Sequence, residues 1–194
     1  ASNNTAIGRS ALEVNTTGAG NVAVGANALD ANTTASNNTA VGLDAGSNVT
    51  TGADNTYLGR RAGFANSSGS SNVAIGVSSM EDANSSAENN VCVGLKAGFA
   101  LTGDNNTAIG YESLKANTTG ANNTAVGHQS LLGNTTGAGN TGIGQNALAT
   151  NTTASNNTAV GFKCLEANTT GNSLVAVGNQ CLTSNTTASD NVAI

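Results

Sequence analysis

The sequence lacks most of the residues on which catalysis and globular cores depend. It has no proline, no tryptophan, one histidine, five phenylalanine and tyrosine residues together, and only 9% charged residues. An ordinary globular enzyme carries about 25% charged residues and more large apolar side chains. Disordered chains are typically rich in charge and proline, so these shortages also argue against disorder. No apolar run approaches the roughly 18 residues of a membrane-spanning helix.

The same shortages exclude the common kinds of active site. His128 is the only histidine, so neither a Ser/His/Asp triad nor a histidine-rich metal site can be assembled. No Gly-Lys-Ser/Thr motif marks a phosphate loop. The net charge of −5 argues against nucleic acid as a partner. We therefore predict a protein that is not an enzyme, with no catalytic, cofactor-binding or metal-binding residues and no membrane insertion.

What is present is a repeat. Alanine, asparagine, threonine and glycine supply 114 of the 194 residues, and they recur with a period of 17. A glycine that follows a short aliphatic run marks each unit: Gly8, Gly25, Gly42, Gly59, Gly76, Gly94, Gly110, Gly127, Gly144, Gly161 and Gly178. The array is irregular near residues 81–104. We predict that 1–194 is a single repeat array and a segment of a longer fibre, because solenoid ends normally need caps.

The columns of the repeat predict the fold. The residue before each glycine is aliphatic, and the residue two places earlier is threonine or valine, a spacing that puts both on one face of a strand. We predict an all-β parallel β-solenoid, or β-roll, of about eleven 17-residue coils, with the glycines at turns. The expected core is the aliphatic column: Ile7, Val24, Val41, Leu58, Ile75, Val93, Ile109, Val126, Ile143, Val160 and Val177.

Between the two β-branched columns lies a column of small residues, mostly alanine. It carries no charge, and on the expected orientation it faces outward. Because a solvent-facing strand tolerates charged side chains, we interpret this column as a place where another chain approaches closely. One coil offers only about three apolar side chains to its interior, a thin core for a single chain. We therefore expect an oligomer packed around the alanine column, a parallel trimer.

Segments such as Asn4-Thr5-Ala6-Ile7-Gly8 and Asn72-Val73-Ala74-Ile75-Gly76 resemble the N-S-V-A-I-G repeat of trimeric autotransporter adhesin heads. The continuation from Asn123 to Gly137 is also similar to repeats in bacteriophage tail fibres. The resemblance covers the whole chain, although the unit here is longer than the adhesin repeat. It implies a left-handed parallel β-roll, a side-by-side homotrimer, and an adhesive or stalk function on the cell surface or virion surface.

We accordingly expect a structural component of an extracellular or virion fibre, with identical chains as partners and a cell-surface receptor or glycan as a further partner. The alternative is a binding surface for a repetitive ligand, glycan or ice, although the Thr-Thr rows are interrupted at residues 66–68 and 101–103. A glycan-coated fibril is another alternative, because Asn-x-Ser/Thr sequons recur. The repeated positions for glycosylation are Asn15, Asn32, Asn117, Asn134, Asn151, Asn168 and Asn185.

Three cysteines occupy columns that hold small residues in most other units. Cys92 lies in the small-residue column of its strand, and Cys164 and Cys181 occupy one column in consecutive units. Consecutive coils would place the latter two within disulfide range. Because side chains in register tend to point alike, we expect free thiols that act as small hydrophobic residues, with a disulfide as the alternative.

Overall fold

The computed structural model describes residues 1–83 and 86–194 and shows a parallel β-solenoid of about eleven coils. Each coil contributes one short strand, and all the strands form a single parallel sheet in chain order. The strands of the described residues are β1 Thr5–Ile7, β2 Val22–Val24, β3 Thr39–Val41, β4 Thr56–Leu58, β5 Val73–Ile75, β6 Val91–Val93, β7 Thr107–Ile109, β8 Thr124–Val126, β9 Thr141–Ile143, β10 Thr158–Val160, β11 Val175–Val177 and β12 Val192–Ala193.

The register follows the repeat throughout. Thr124 pairs with Thr141, and Val126 pairs with Ile143, and every other neighbouring pair of strands is aligned in the same way. The longer unit that carries β5 does not shift the pairing, because Val73 pairs with Val91 and Val91 with Thr107. The extra and missing residues are therefore absorbed outside the strands. At about 4.8 Å between strands, the rod is roughly 50 Å long.

Residues with left-handed backbone conformations make the corners of each coil. In the second coil these are Asn27, Leu29 and Asn37, with φ of 56°, 50° and 61°. Asparagine tolerates this conformation well, whereas leucine does not, so tertiary packing holds Leu29 there. The prediction of turn glycines is confirmed: all eleven have φ between 126° and 140°. A Cβ atom on Gly25 would lie 2.4 Å from the carbonyl oxygen of Gly42, so stacking of the coils also requires glycine.

The core lies on the face of each strand that we expected to point outward. The middle residue of each strand points inward, and Ala23, Ala40, Ala108 and Ala125 are completely buried. They pack against the leucine column of the next turn, in which Leu29, Met80, Leu114, Leu131, Leu148 and Leu165 are also completely buried.

The predicted core column is consequently wrong. It points outward and is partly or largely exposed: Ile7, Val24, Val41, Leu58, Ile75, Val93, Ile109, Val126, Ile143, Val160 and Val177. The reason is the narrow cross-section of the coil. The leucine column fills the interior so closely that only a methyl group fits opposite it, and alternation then turns the aliphatic residues to the surface.

One coil shows how close this fit is. Tyr57 replaces alanine in β4 and is completely buried. Its ring fits because Gly46 and Gly63 stand where other coils have leucine; a Cβ atom on Gly63 would lie 2.2 Å from the Cε1 atom of Tyr57. In β6 the replacement is Cys92, and it is matched by Gly98 in the same way. A larger residue in the alanine column is therefore accompanied by glycine in the leucine column.

Candidate interaction surface

The outward side of the sheet is the most distinctive surface of the molecule. We define the strand face as the first and third residue of each strand, the residue after each turn glycine, and Ile194, which directly follows β12. Of the fifteen exposed large hydrophobic residues, fourteen lie on it. They are Ile7, Leu43, Leu58, Val77, Val91, Leu95, Ile109, Tyr111, Ile143, Phe162, Val175, Val177, Val192 and Ile194. The remaining one, Val14, lies elsewhere. The exposed hydrophobic side chains are thus concentrated on one side.

Charge is also distributed unequally. No strand position carries a charged residue, and only Arg9 and Arg60 do so in the column after the turn glycine. The turn that follows carries the ion pairs of the described residues: Arg61 with Glu81 at 2.5 Å, Lys115 with Glu112 at 2.6 Å, and Lys163 with Glu166 at 3.3 Å. The strand face therefore lies beside a charged side but carries almost no charge itself.

Glu112 has two side-chain partners on the charged side. Its carboxylate accepts hydrogen bonds from Lys115 at 2.6 Å and from Gln129 of the next coil at 3.0 Å. These hydrogen bonds, that from Lys115 first, lower the pKa of Glu112 below its ordinary value. The hydrogen bond from Gln129 therefore connects two consecutive coils on the charged side.

A ladder of asparagines supports the strand face from behind. The residue before each strand is a buried asparagine in all but one of the inner coils, and its Oδ1 atom accepts a hydrogen bond from the backbone N–H of the equivalent residue one coil later. For Asn123 and Asn140 this distance is 2.9 Å. The Nδ2 atom of Asn123 donates to the carbonyl oxygen of Gly137 at 2.9 Å. Each rung therefore fixes the next, and the strand face is held as a regular array.

The positions predicted for glycosylation form a second ladder. Asn32, Asn117, Asn134, Asn151 and Asn168 are completely buried, and Asn15 and Asn185 are half-buried. Along the C-terminal coils, Nδ2 of each donates to Oδ1 of the preceding one, from Asn134 to Asn117 at 2.7 Å up to Asn185 to Asn168 at 3.1 Å. A glycan on the buried amides is incompatible with this fold, so the prediction is wrong for those five positions.

Other sequons remain on the surface. Asn37, Asn105, Asn122 and Asn156 are exposed and occupy a corner of the coil with φ between 59° and 61°. Each is followed by a ladder asparagine and a strand threonine, which completes Asn-Asn-Thr. The left-handed corner explains why asparagine recurs here. A sequence alone does not separate these exposed sequons from the buried ones, because both belong to the same period.

The described residues enclose no pocket and contain no group of three histidine, cysteine or acidic residues that could hold a metal ion. His128 is exposed and stacks on Tyr111, with 5.0 Å between ring centroids and 13° between planes. All three cysteines are free; Cys92 and Cys164 are buried and Cys181 is partly exposed. No helix in the described part of the chain is long and apolar enough to span a membrane.

Comparison with protein-family models, with curated proteins and with solved structures found no match.

Proposed function

We propose that this chain is a structural segment of a fibre outside the cell or on a virion, in which identical chains pack side by side through the strand face. The supporting observation is the concentration of fourteen of fifteen exposed large hydrophobic residues on that face. The alanine column is buried in the core of the coil, so we place the interface on the opposite side of the same strands.

The size of the strand face supports this proposal. It runs along about 50 Å of stacked strands and across about five residues, or roughly 15 Å, which gives roughly 800 Å². That is about the area each partner contributes to a standard protein–protein interface. Packing against other chains would also bury the apolar side chains of this face, which enlarges the small core of each coil.

The number and handedness of the assembly rest on the resemblance to trimeric autotransporter adhesin heads. On that basis the coil is left-handed and three parallel chains meet along one axis, with their strand faces inward. The charged turns and the threonine rows then face solvent, where a receptor or glycan can be presented. Rod-like projection, rather than chemistry, is the role we propose.

The experiment is a measurement of molar mass by light scattering, on the wild-type chain and two double variants. I109E/I143E places charges on the strand face. T119E/T153E places them on exposed threonines of another side and serves as the matched control. We expect three chains per particle for the wild type and the control, and one for I109E/I143E. A monodisperse wild-type monomer overturns the proposal.

The alternative of a repetitive-ligand surface has one observation in its favour. From residue 118 to 187 the threonine pairs are uninterrupted over five coils, and Thr119, Thr136, Thr153, Thr170 and Thr187 are all exposed. A thermal hysteresis measurement tests binding to ice, and a glycan array tests binding to sugars. A response that T119E/T153E abolishes and I109E/I143E preserves would support this second function.

A further inference from the structure

Two cysteines stand in equivalent positions of consecutive coils. Strands β10 and β11 pair in register, with Val160 opposite Val177, and Cys164 and Cys181 each follow four residues later. The backbone N–H of Leu165 donates to the carbonyl oxygen of Cys181 at 2.9 Å, so the coils stay aligned at this point. Their Cα atoms are therefore about one strand spacing apart, ~4.8 Å, inside the range of about 4.4–6.8 Å found for disulfides.

The surroundings of Cys164 do not explain why sulfur is needed there. Its Sγ atom donates to the carbonyl oxygen of Ala176 at 3.1 Å. In an earlier coil Ser130 holds the same position and donates to the carbonyl oxygen of Gly142 at 2.8 Å. Serine thus satisfies the same acceptor at a shorter distance. What only the cysteine pair adds is the capacity to form a covalent bond between coils.

The pair lies beside the one interruption of the first asparagine ladder in the described residues. Leu174 replaces asparagine before β11; its backbone N–H still donates to Oδ1 of Asn157 at 2.9 Å. Its side chain carries no oxygen, so it offers no acceptor to the backbone N–H of Asn191. The missing connection therefore lies between the coils of β11 and β12, one junction beyond the coils of β10 and β11 that the two cysteines join.

We propose that Cys164 and Cys181 are a cross-linking site that closes into a disulfide between consecutive coils when the fibre meets an oxidising environment. With oxidised glutathione, the Cys181 thiolate attacks one glutathione sulfur and releases one glutathione. The Cys164 thiolate then attacks the Cys181 sulfur and releases the second. One protein S–S bond forms, two thiol protons are lost, and one oxidised glutathione becomes two reduced molecules. The site belongs to the single chain and does not depend on the proposed assembly.

Burial raises the pKa of Cys164 to about 11. Little thiolate is present at neutral pH, so we expect the closing step to be slow and to accelerate as pH rises.

The test is incubation of the chain with oxidised glutathione, followed by intact mass and peptide mapping. We expect a loss of two hydrogen atoms and a linked peptide pair that contains Cys164 and Cys181, while Cys92 stays reduced. Amide hydrogen exchange in residues 178–190 should slow about a hundredfold on oxidation, as expected for a closed loop of this length. C92S is the matched control and should cross-link like the wild type.

Two results would overturn the proposal. One is that all three thiols remain free, or carry only glutathione adducts, after prolonged exposure at pH 9. The other is that a Cys164–Cys181 bond forms only in denaturant.

Discussion

The ring of Tyr57 lies in the space that a side chain at position 63 would occupy, because Gly63 leaves the leucine column empty there. The two residues are six positions apart, on either side of a turn, and the size of each side chain limits the size of the other. Gly63 also has a left-handed φ of 62°. This pair shows how the coil accepts a residue larger than alanine in its strand.

From this relationship we expect G63A to destabilise the protein by at least about 2 kcal/mol, through overpacking and left-handed strain. Chemical denaturation measures the loss. The same substitution should cost less when Tyr57 is replaced by alanine. Equal costs of G63A with and without Tyr57 would contradict this account. G139N is the control, because asparagine occupies that left-handed corner in neighbouring coils.

The asparagine ladder makes a prediction about two adjacent residues. N123D places a carboxylate in a buried site and removes the Nδ2 donor to Gly137, so we expect a loss of roughly 2–4 kcal/mol at neutral pH. N122D changes an exposed corner residue, in a column where other coils carry aspartate, and should be nearly neutral. The unfolding midpoints of the two variants give the comparison. A similar loss in both would show that the ladder does not carry the stability assigned to it.

The hydrogen bonds to Glu112 predict a pH dependence. Its pKa is lowered in the folded chain, so its contribution is present above the ordinary glutamate pKa, about 4.3, and is lost as pH falls through the lower folded value. As the pH falls through this range, we expect the free energy of unfolding of the wild type to decrease by at most about 1 kcal/mol more than that of E112Q. Free energies of unfolding measured at pH 7 and pH 3 for both proteins test this expectation. E13Q, at an exposed position without an ion pair among the described residues, should follow the wild type; parallel pH profiles for wild type and E112Q would refute the prediction.

Exposure separates the sequons into two classes. If the chain is secreted from a glycosylating host, we expect folded material to carry glycans at the exposed sequons and none at the buried ladder amides; the exposed sequons are Asn3, Asn37, Asn48, Asn105, Asn122 and Asn156. Site-by-site mass spectrometry after glycosidase treatment reports occupancy. Folded protein with a glycan on Asn134 would be inconsistent with the second ladder.

The period and the glycine column were sufficient to predict the parallel solenoid, its register and its turns. Which face of each strand points into the core was not predictable in the same way. Alternation separates Ala125 from Val126 but does not say which one faces inward, because the answer depends on the width of the coil. That width is set by Leu131 and its equivalents, which hold left-handed conformations that leucine does not favour by itself. The paired changes at Tyr57 and Gly63 were the sequence signal that the alanine column is internal.

The measurement that tests the central claim most directly is cysteine cross-linking at two adjacent residues of β8. In a background without the native cysteines (C92A/C164S/C181S), V126C places a thiol on the strand face and A125C places one in the core of the coil. If three parallel chains meet through the strand face, equivalent residues lie near the common axis, and mild oxidation of V126C should give a cross-linked dimer. A125C should give none. Cross-linking of A125C without cross-linking of V126C would contradict the account.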